Sequence, residues 1–176
     1  MLEPVLEKYP VDILTAHYRV YGEFQPRGDP HMYFNSENVD SLIIHDATMM
    51  PLREGMRLGA VSADELYVPR SEPQVIILGN YEPQVKPLPK RERLICFTDT
   101  YILRGFFHMS VETKVPDVFW AGHGPYFPAT MVDIFSLYPL AMEVKANAPL
   151  CYLNGPLVRA FYAQEQTGEL NRITQQ

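Results

Sequence analysis

The chain has 176 residues, 47% of them hydrophobic and 20% charged, with 16 prolines, 11 tyrosines and a formal charge of −6. That balance fits a soluble globular protein of strands, turns and loops, and it argues against long helices. The acidic charge excludes general attraction to a phosphate backbone as the default, and the only cysteines, Cys96 and Cys151, sit in apolar runs that suit buried thiols rather than a disulfide framework or metal site.

The first residues, Met1 to Lys8, mix acidic side chains with no long apolar core. They read as neither signal peptide nor membrane anchor, and no later run reaches the roughly 18 apolar residues of a membrane span. A cytoplasmic location is the expectation. Residues 1–10 fit one helical turn, 11–15 a first strand and 18–25 a second. In the second strand Tyr18, Val20, Gly22 and Phe24 share the core face, while Arg19, Tyr21, Glu23 and Gln25 share the wet one. Gly22 in mid-strand predicts a bend or bulge.

Residues 26–38 are rich in turn formers and predict a long excursion. A third strand follows over 42–52. Residues 53–73 predict a second excursion, with one helical turn from Ser62, which has capping-box spacing to Glu65. Strands are predicted at 75–78 and 81–85, and then at 94–98, 101–109, 126–137, 150–153 and 157–162. In 101–109 the wet face would carry Ile102, Arg104, Phe106 and His108, so Ile102 and Phe106 need a cover from elsewhere in the protein or from another chain.

The second strand's pattern returns. Thr15, Tyr18, Gly22 and Phe24 match Thr98, Tyr101, Gly105 and Phe107; residues 41–52 fall without a gap on 126–137, and 75–80 fall on 150–155. Ordered matches of this kind predict a duplicated β unit. The domain reading is a first repeat with its N-terminal segment at 1–85, a basic, proline-rich linker at 86–93, a second repeat at 94–163 and a polar tail at 164–176. Each unit of that size has a modest core and gains from packing on the other.

A long second strand with a glycine and an apolar residue two later (Gly22 and Phe24; Gly105 and Phe107), an apolar third strand such as Leu42 to Ala47, and a glycine-bearing turn after a short fourth strand (Gly79; Gly155) resemble the Sm-like fold, a small five-stranded bent barrel related in shape to SH3 barrels. The fold expectation is therefore all-β, an internal duplication of a five-stranded, strongly bent barrel with the lobes packed together. The resemblance implies assembly through strand edges, since an open edge is a template for another strand. It also implies RNA binding, for which Asp29, His31 and Asn35 in the expanded loop and the basic Lys90, Arg91 and Arg93 are the candidates. The arginine-glycine pair that RNA-binding Sm-like proteins carry after the fourth strand is missing here, where Leu78-Gly79 and Asn154-Gly155 stand instead.

No catalytic residue, cofactor or metal ligand is assigned. The histidines lack ligand spacing; His45 and Asp46 are strand neighbours on opposite faces, and only an assembly across loops with His31 would join them. Gly122-His123-Gly124-Pro125 lacks the lysine and helix of a phosphate-cradling loop. The leading expectation is a non-enzymatic tandem-barrel protein that acts through protein contacts or self-association, with Ile102 and Phe106 as interface. The alternative is an Sm-like RNA binder. A small-molecule-binding or hydrolytic protein stands third and would need a buried pocket with convergent polar groups.

Overall fold

A computed structural model describes residues 6–82, 88–122, 124–144 and 147–165. The strands are β1 (Tyr9–Leu14), β2 (Tyr18–Phe24), β3 (Ser41–Pro51), β4 (Val61–Pro69), β5 (Val75–Leu78), β6 (Lys90–Phe97), β7 (Tyr101–Met109), β8 (Tyr126–Ser136), β9 (Asn147–Asn154) and β10 (Ala160–Ala163), with one short helix, α1 (Pro30–Asn35). The fold is all-β. The ten strands form one antiparallel sheet in the order β10-β6-β7-β8-β9-β5-β1-β2-β3-β4, and it does not close into a barrel. The expected pair of barrels is corrected on this point: β5 pairs with β1 on one side and β9 on the other, so the hydrogen-bond ladder continues through the middle of the chain.

The sheet folds over two apolar clusters. One gathers Val20, Phe24, Phe34, Leu42, Ile44 and Ile76 with Tyr126 and Tyr152; the other gathers Leu94, Leu103, Phe107, Val132 and Ile134 with Leu14, Leu52, Val75 and Ile77. Strand β5 therefore feeds both, Ile76 into the first and its neighbours Val75 and Ile77 into the second. Period-two alternation makes this unavoidable for a strand with cores on both faces. Strand β9 does the same, with Leu150 and Tyr152 in one cluster and Cys151 and Leu153 in the other.

The bulge foreseen at Gly22 is present. Tyr21 pairs with Thr48 and Glu23 with His45, so Asp46 and Ala47 together oppose Gly22, and Asp46 takes a φ of 45°. The second half repeats the arrangement, with Gly105 opposite Met131 and Val132 and a φ of 52° at Met131. An extra residue on one strand bends it and strengthens its twist, which is how the sheet curls over its own side chains.

Further readings of the sequence change, among them the helical turn expected over 1–10, where Tyr9 and Pro10 already belong to β1. Residues 53–73 hold the nine-residue strand β4 in place of a helical turn, with Ser62 and Glu65 facing Thr48 and His45. The excursion at 26–38 holds α1, capped by the Asp29 carboxylate, which accepts from Met32 N at 3.2 Å, with Pro30 in the first turn. The match of 75–80 with 150–155 does not survive: β5 lies beside β1, β9 lies beside β8, and the two are partners in one ladder. The strand predicted at 81–85 lies mostly outside the described residues, as does the polar tail beyond Glu165.

Polar ties cross the junction between the halves. The buried Asn154 amide donates to the carbonyls of Ser71 and Pro73, Thr98 Oγ1 donates to Gln74 Oε1 at 2.5 Å, and Tyr101 Oη donates to Thr15 O at 3.0 Å. Each satisfies a group that would otherwise be buried unpaired, a loss worth about 1–3 kcal/mol.

A Cβ on Gly22 would lie 2.6 Å from the backbone oxygen of His45 and 2.9 Å from Ile44 Cγ2, so the bulge itself must move to admit it. Gly22→Ala is expected to lower unfolding free energy by about 1–3 kcal/mol in urea titration. Gly59→Ala, at a position with open space around it, is the control and should change stability far less.

Candidate functional site

Ile102 and Phe106 are half-buried on the outer face of β7. The cover over Phe106 comes from the adjacent strand: the Arg91 and Arg93 guanidinium carbons lie 4.8 and 5.8 Å from its ring centre. Such stacking shields a ring while leaving the cations wet. Ile102 lies between Phe97 on β6 and Phe135 on β8. Of the residues read as a basic linker, Lys90 to Arg93 are strand residues of β6, and Lys90 Nζ donates to Thr113 O at 2.8 Å.

Among the described residues the sheet ends in two unpaired edges, β4 and β10. Both carry aromatic residues in the open: Tyr67 is 60% exposed and Tyr162 48%. Strand β4 is acidic, with Asp64 and Glu65 and no lysine or arginine. The end of β10 lies beside Arg93, whose carbonyl accepts from Gln164 N at 2.8 Å.

The loop candidates Asp29, His31 and Asn35 come together at α1, but in different roles. Asp29 caps the helix and accepts from Tyr81 Oη at 2.7 Å. The Asn35 amide clamps β8, with Oδ1 accepting from Tyr126 N at 2.8 Å and Nδ2 donating to Tyr126 O and His31 O, both at 3.1 Å. Both side chains thus serve contacts within the chain. His31 instead turns its ring toward Tyr152, 5.7 Å between centres, and lines a cavity of about 450 Å³ between α1 and strands β7 to β9. His45 is elsewhere, with Nδ1 3.7 Å from Glu65 across the β3–β4 pair, and among the described residues no group of three His, Cys, Asp or Glu side chains is placed to hold a metal ion.

The cavity draws in residues that the sequence does not single out. His108 Nε2 and Thr130 Oγ1 are 2.8 Å apart on neighbouring strands, and the Tyr152 hydroxyl interacts with that of Tyr81. Met109, Val118, Phe127 and Leu150 supply apolar wall. Burial lowers the pKa of His31, against a smaller opposing effect of Asp29, and burial likewise lowers that of His108, against the opposing backbone hydrogen bond at Leu88 and with a smaller lowering by the Arg91 charge. Burial also pushes the Cys151 thiol up to about 12, so it stays protonated in the core.

No family model matches the chain, and neither a curated protein nor a solved structure matches it.

A histidine held below its usual 6.5 binds its proton more readily in the unfolded chain than in the folded one. Its contribution to stability is therefore intact above about pH 6.5 and is lost as the pH falls from there toward the folded value. Urea midpoints measured from about pH 7.5 down to about pH 5 should fall for the native protein. They should fall less steeply for the His31→Gln, His108→Gln double variant, and parallel slopes would contradict this account.

Proposed function

We propose that this is a non-enzymatic protein of tandem, Sm-like small-β architecture that works by assembling with further copies of itself through its sheet edges. The observation that carries the reading is the β5–β9 ladder: one half already adds to the other edge to edge, and among the described residues β4 and β10 are left free in the same relation.

Supporting the duplication, each half runs in the same strand order, β5-β1-β2-β3-β4 and β10-β6-β7-β8-β9, the last strand lying beside the first. Local bonds recur as well. Thr15 Oγ1 accepts from Tyr18 N and Thr98 Oγ1 from Tyr101 N, both at 2.9 Å. Leu52 N donates to His17 O and Leu137 N to Thr100 O, both at 2.8 Å.

The internal ladder then supplies a register for the external one. Ile76 opposes Tyr152 within the chain, and both are buried. Ile76 sits beside Ile13 as Phe161 sits beside Cys96, and Tyr152 sits beside Pro128 as Tyr67 sits beside Ile43. In the assembled protein Phe161 of one copy opposes Tyr67 of the next, and Tyr162 opposes Leu66. That alignment runs Glu65 and Asp64 toward the end of β10 beside Arg93, bringing opposite charges together. The two edges are different surfaces, so the contact is head to tail, and the assembly is a ring where the rotation closes.

Sedimentation equilibrium tests this directly. The native protein should run as a defined multiple of the monomer that loosens as salt rises. Tyr67→Asp and Tyr162→Asp, both on exposed rings, should each release monomer with little change in melting temperature. A native protein that stays monomeric across the accessible concentration range, or an oligomer indifferent to both substitutions, refutes edge assembly.

A further inference from the structure

We propose that the cavity between α1 and strands β7 to β9 is a binding site for a small, uncharged aromatic molecule that donates a hydrogen bond. It is a site separate from the sheet edges and does not depend on the assembly they make.

Size and shape come first. A volume of about 450 Å³ lies within the range of small-molecule sites, roughly 300–1,000 Å³. The cavity is bounded by both halves, with α1 from the first and β7, β8 and β9 from the second, and the Asn35 clamp on Tyr126 holds these walls together. Ser110, Thr113, Val118 and Ala121, from the connection between β7 and β8, add to its lining.

The charge of the ligand follows from the lining. No lysine, arginine, aspartate or glutamate is among the described residues that line the cavity. An ion entering it would lose water and meet no charged side chain among the described lining residues, a cost of several kcal/mol in a site of this kind. The burial that keeps His31 and His108 neutral works in the same direction. A neutral guest is selected.

Aromatic character follows from the walls. The His31 and Tyr152 rings lie 5.7 Å apart with planes tilted by 30°, Phe127 adds another face, and Met109 and Leu150 close the apolar surface. Flat rings and a thioether together favour a planar guest.

The donor requirement follows from Thr130. Its hydroxyl has one hydrogen and two lone pairs, and its contact with His108 Nε2 uses only one of these. Whichever atom donates in that pair, Thr130 Oγ1 keeps at least one lone pair. The His31 imidazole, which makes no side-chain hydrogen bond among the described residues, lines the same cavity. A guest that brings an N–H or O–H to Thr130 gains a hydrogen bond to that lone pair, and one that cannot forgoes it.

The test uses indole, phenol and 7-azaindole as probes of the full-length protein, read by isothermal titration and ligand-observed NMR. At least one is expected to bind saturably, and 1-methylindole, which lacks the donor, should bind about tenfold more weakly than indole. Benzoate, planar but anionic, should not bind. Thr130→Val, similar in shape, should weaken the best probe about tenfold in a protein that still folds cooperatively. Ala121→Trp, at an exposed position on the cavity wall, should abolish binding by filling the space. Saturable binding with that pattern supports the site. Failure of all three probes, equal binding of indole and 1-methylindole, tighter binding of benzoate, or binding unchanged in a folded Thr130→Val protein overturns it.

Discussion

The structure depends on the ladder between β5 and β9. Val75, Ile76, Ile77 and Leu78 are all buried, and their side chains point alternately into two different cores. A strand of this kind cannot be satisfied by either half alone. Removing one half would strand half of its side chains in water, at about 1.5–3 kcal/mol for each large aliphatic group, and would also open a row of backbone donors and acceptors. The halves therefore share a strand pair and are not two bodies in mere contact. The buried polar groups gather at the same boundary: Gln74 with Thr98, Asn154 with the carbonyls before β5, and Tyr101 with Thr15. These bonds fix the position of one half on the other more sharply than apolar contact can, because each is satisfied at one geometry only.

What could be read from the sequence follows the same division. Strands β2, β3, β7 and β8 were legible because one of their faces is core and the other wet, which writes a period of two into the residues. Gly22 was legible as a bulge because nothing larger fits against the facing strand. Strand β4 was not, since an edge strand carrying Ser62, Asp64 and Glu65 toward solvent has the composition of a loop and, by chance, the spacing of a helix cap. The false match of β5 with β9 has a physical cause as well. Both are apolar on both faces because both stand between the cores, so they look alike through common surroundings.

The cavity was illegible for a different reason. His31, Tyr81, His108, Thr130 and Tyr152 lie far apart in the chain, on a helix, a loop and three strands, and each taken alone has an ordinary setting. Asp29 and Asn35 drew attention as loop polar residues, yet their side chains cap α1 and clamp β8. The arginines of β6 likewise looked like a solvated linker, and their actual setting, over the Phe106 ring, depends on β6 pairing with β7. In each case the missing information is a long-range pairing, which local spacing does not encode.

The shared strand also sets a problem of timing during synthesis. Strand β5 is complete and able to pair with β1 while β9 is still to be made, roughly seventy residues later, an interval of several seconds at about 5–20 residues per second. For that time an apolar four-residue edge stands open on a nascent first half. On a message carrying several ribosomes, the β9 of a chain further along is a competing partner for it. Reciprocal exchange of second halves between neighbouring nascent chains would preserve every native contact, so the length of the connection from β5 to β6 and the pace of translation through the second half decide whether each chain closes on itself.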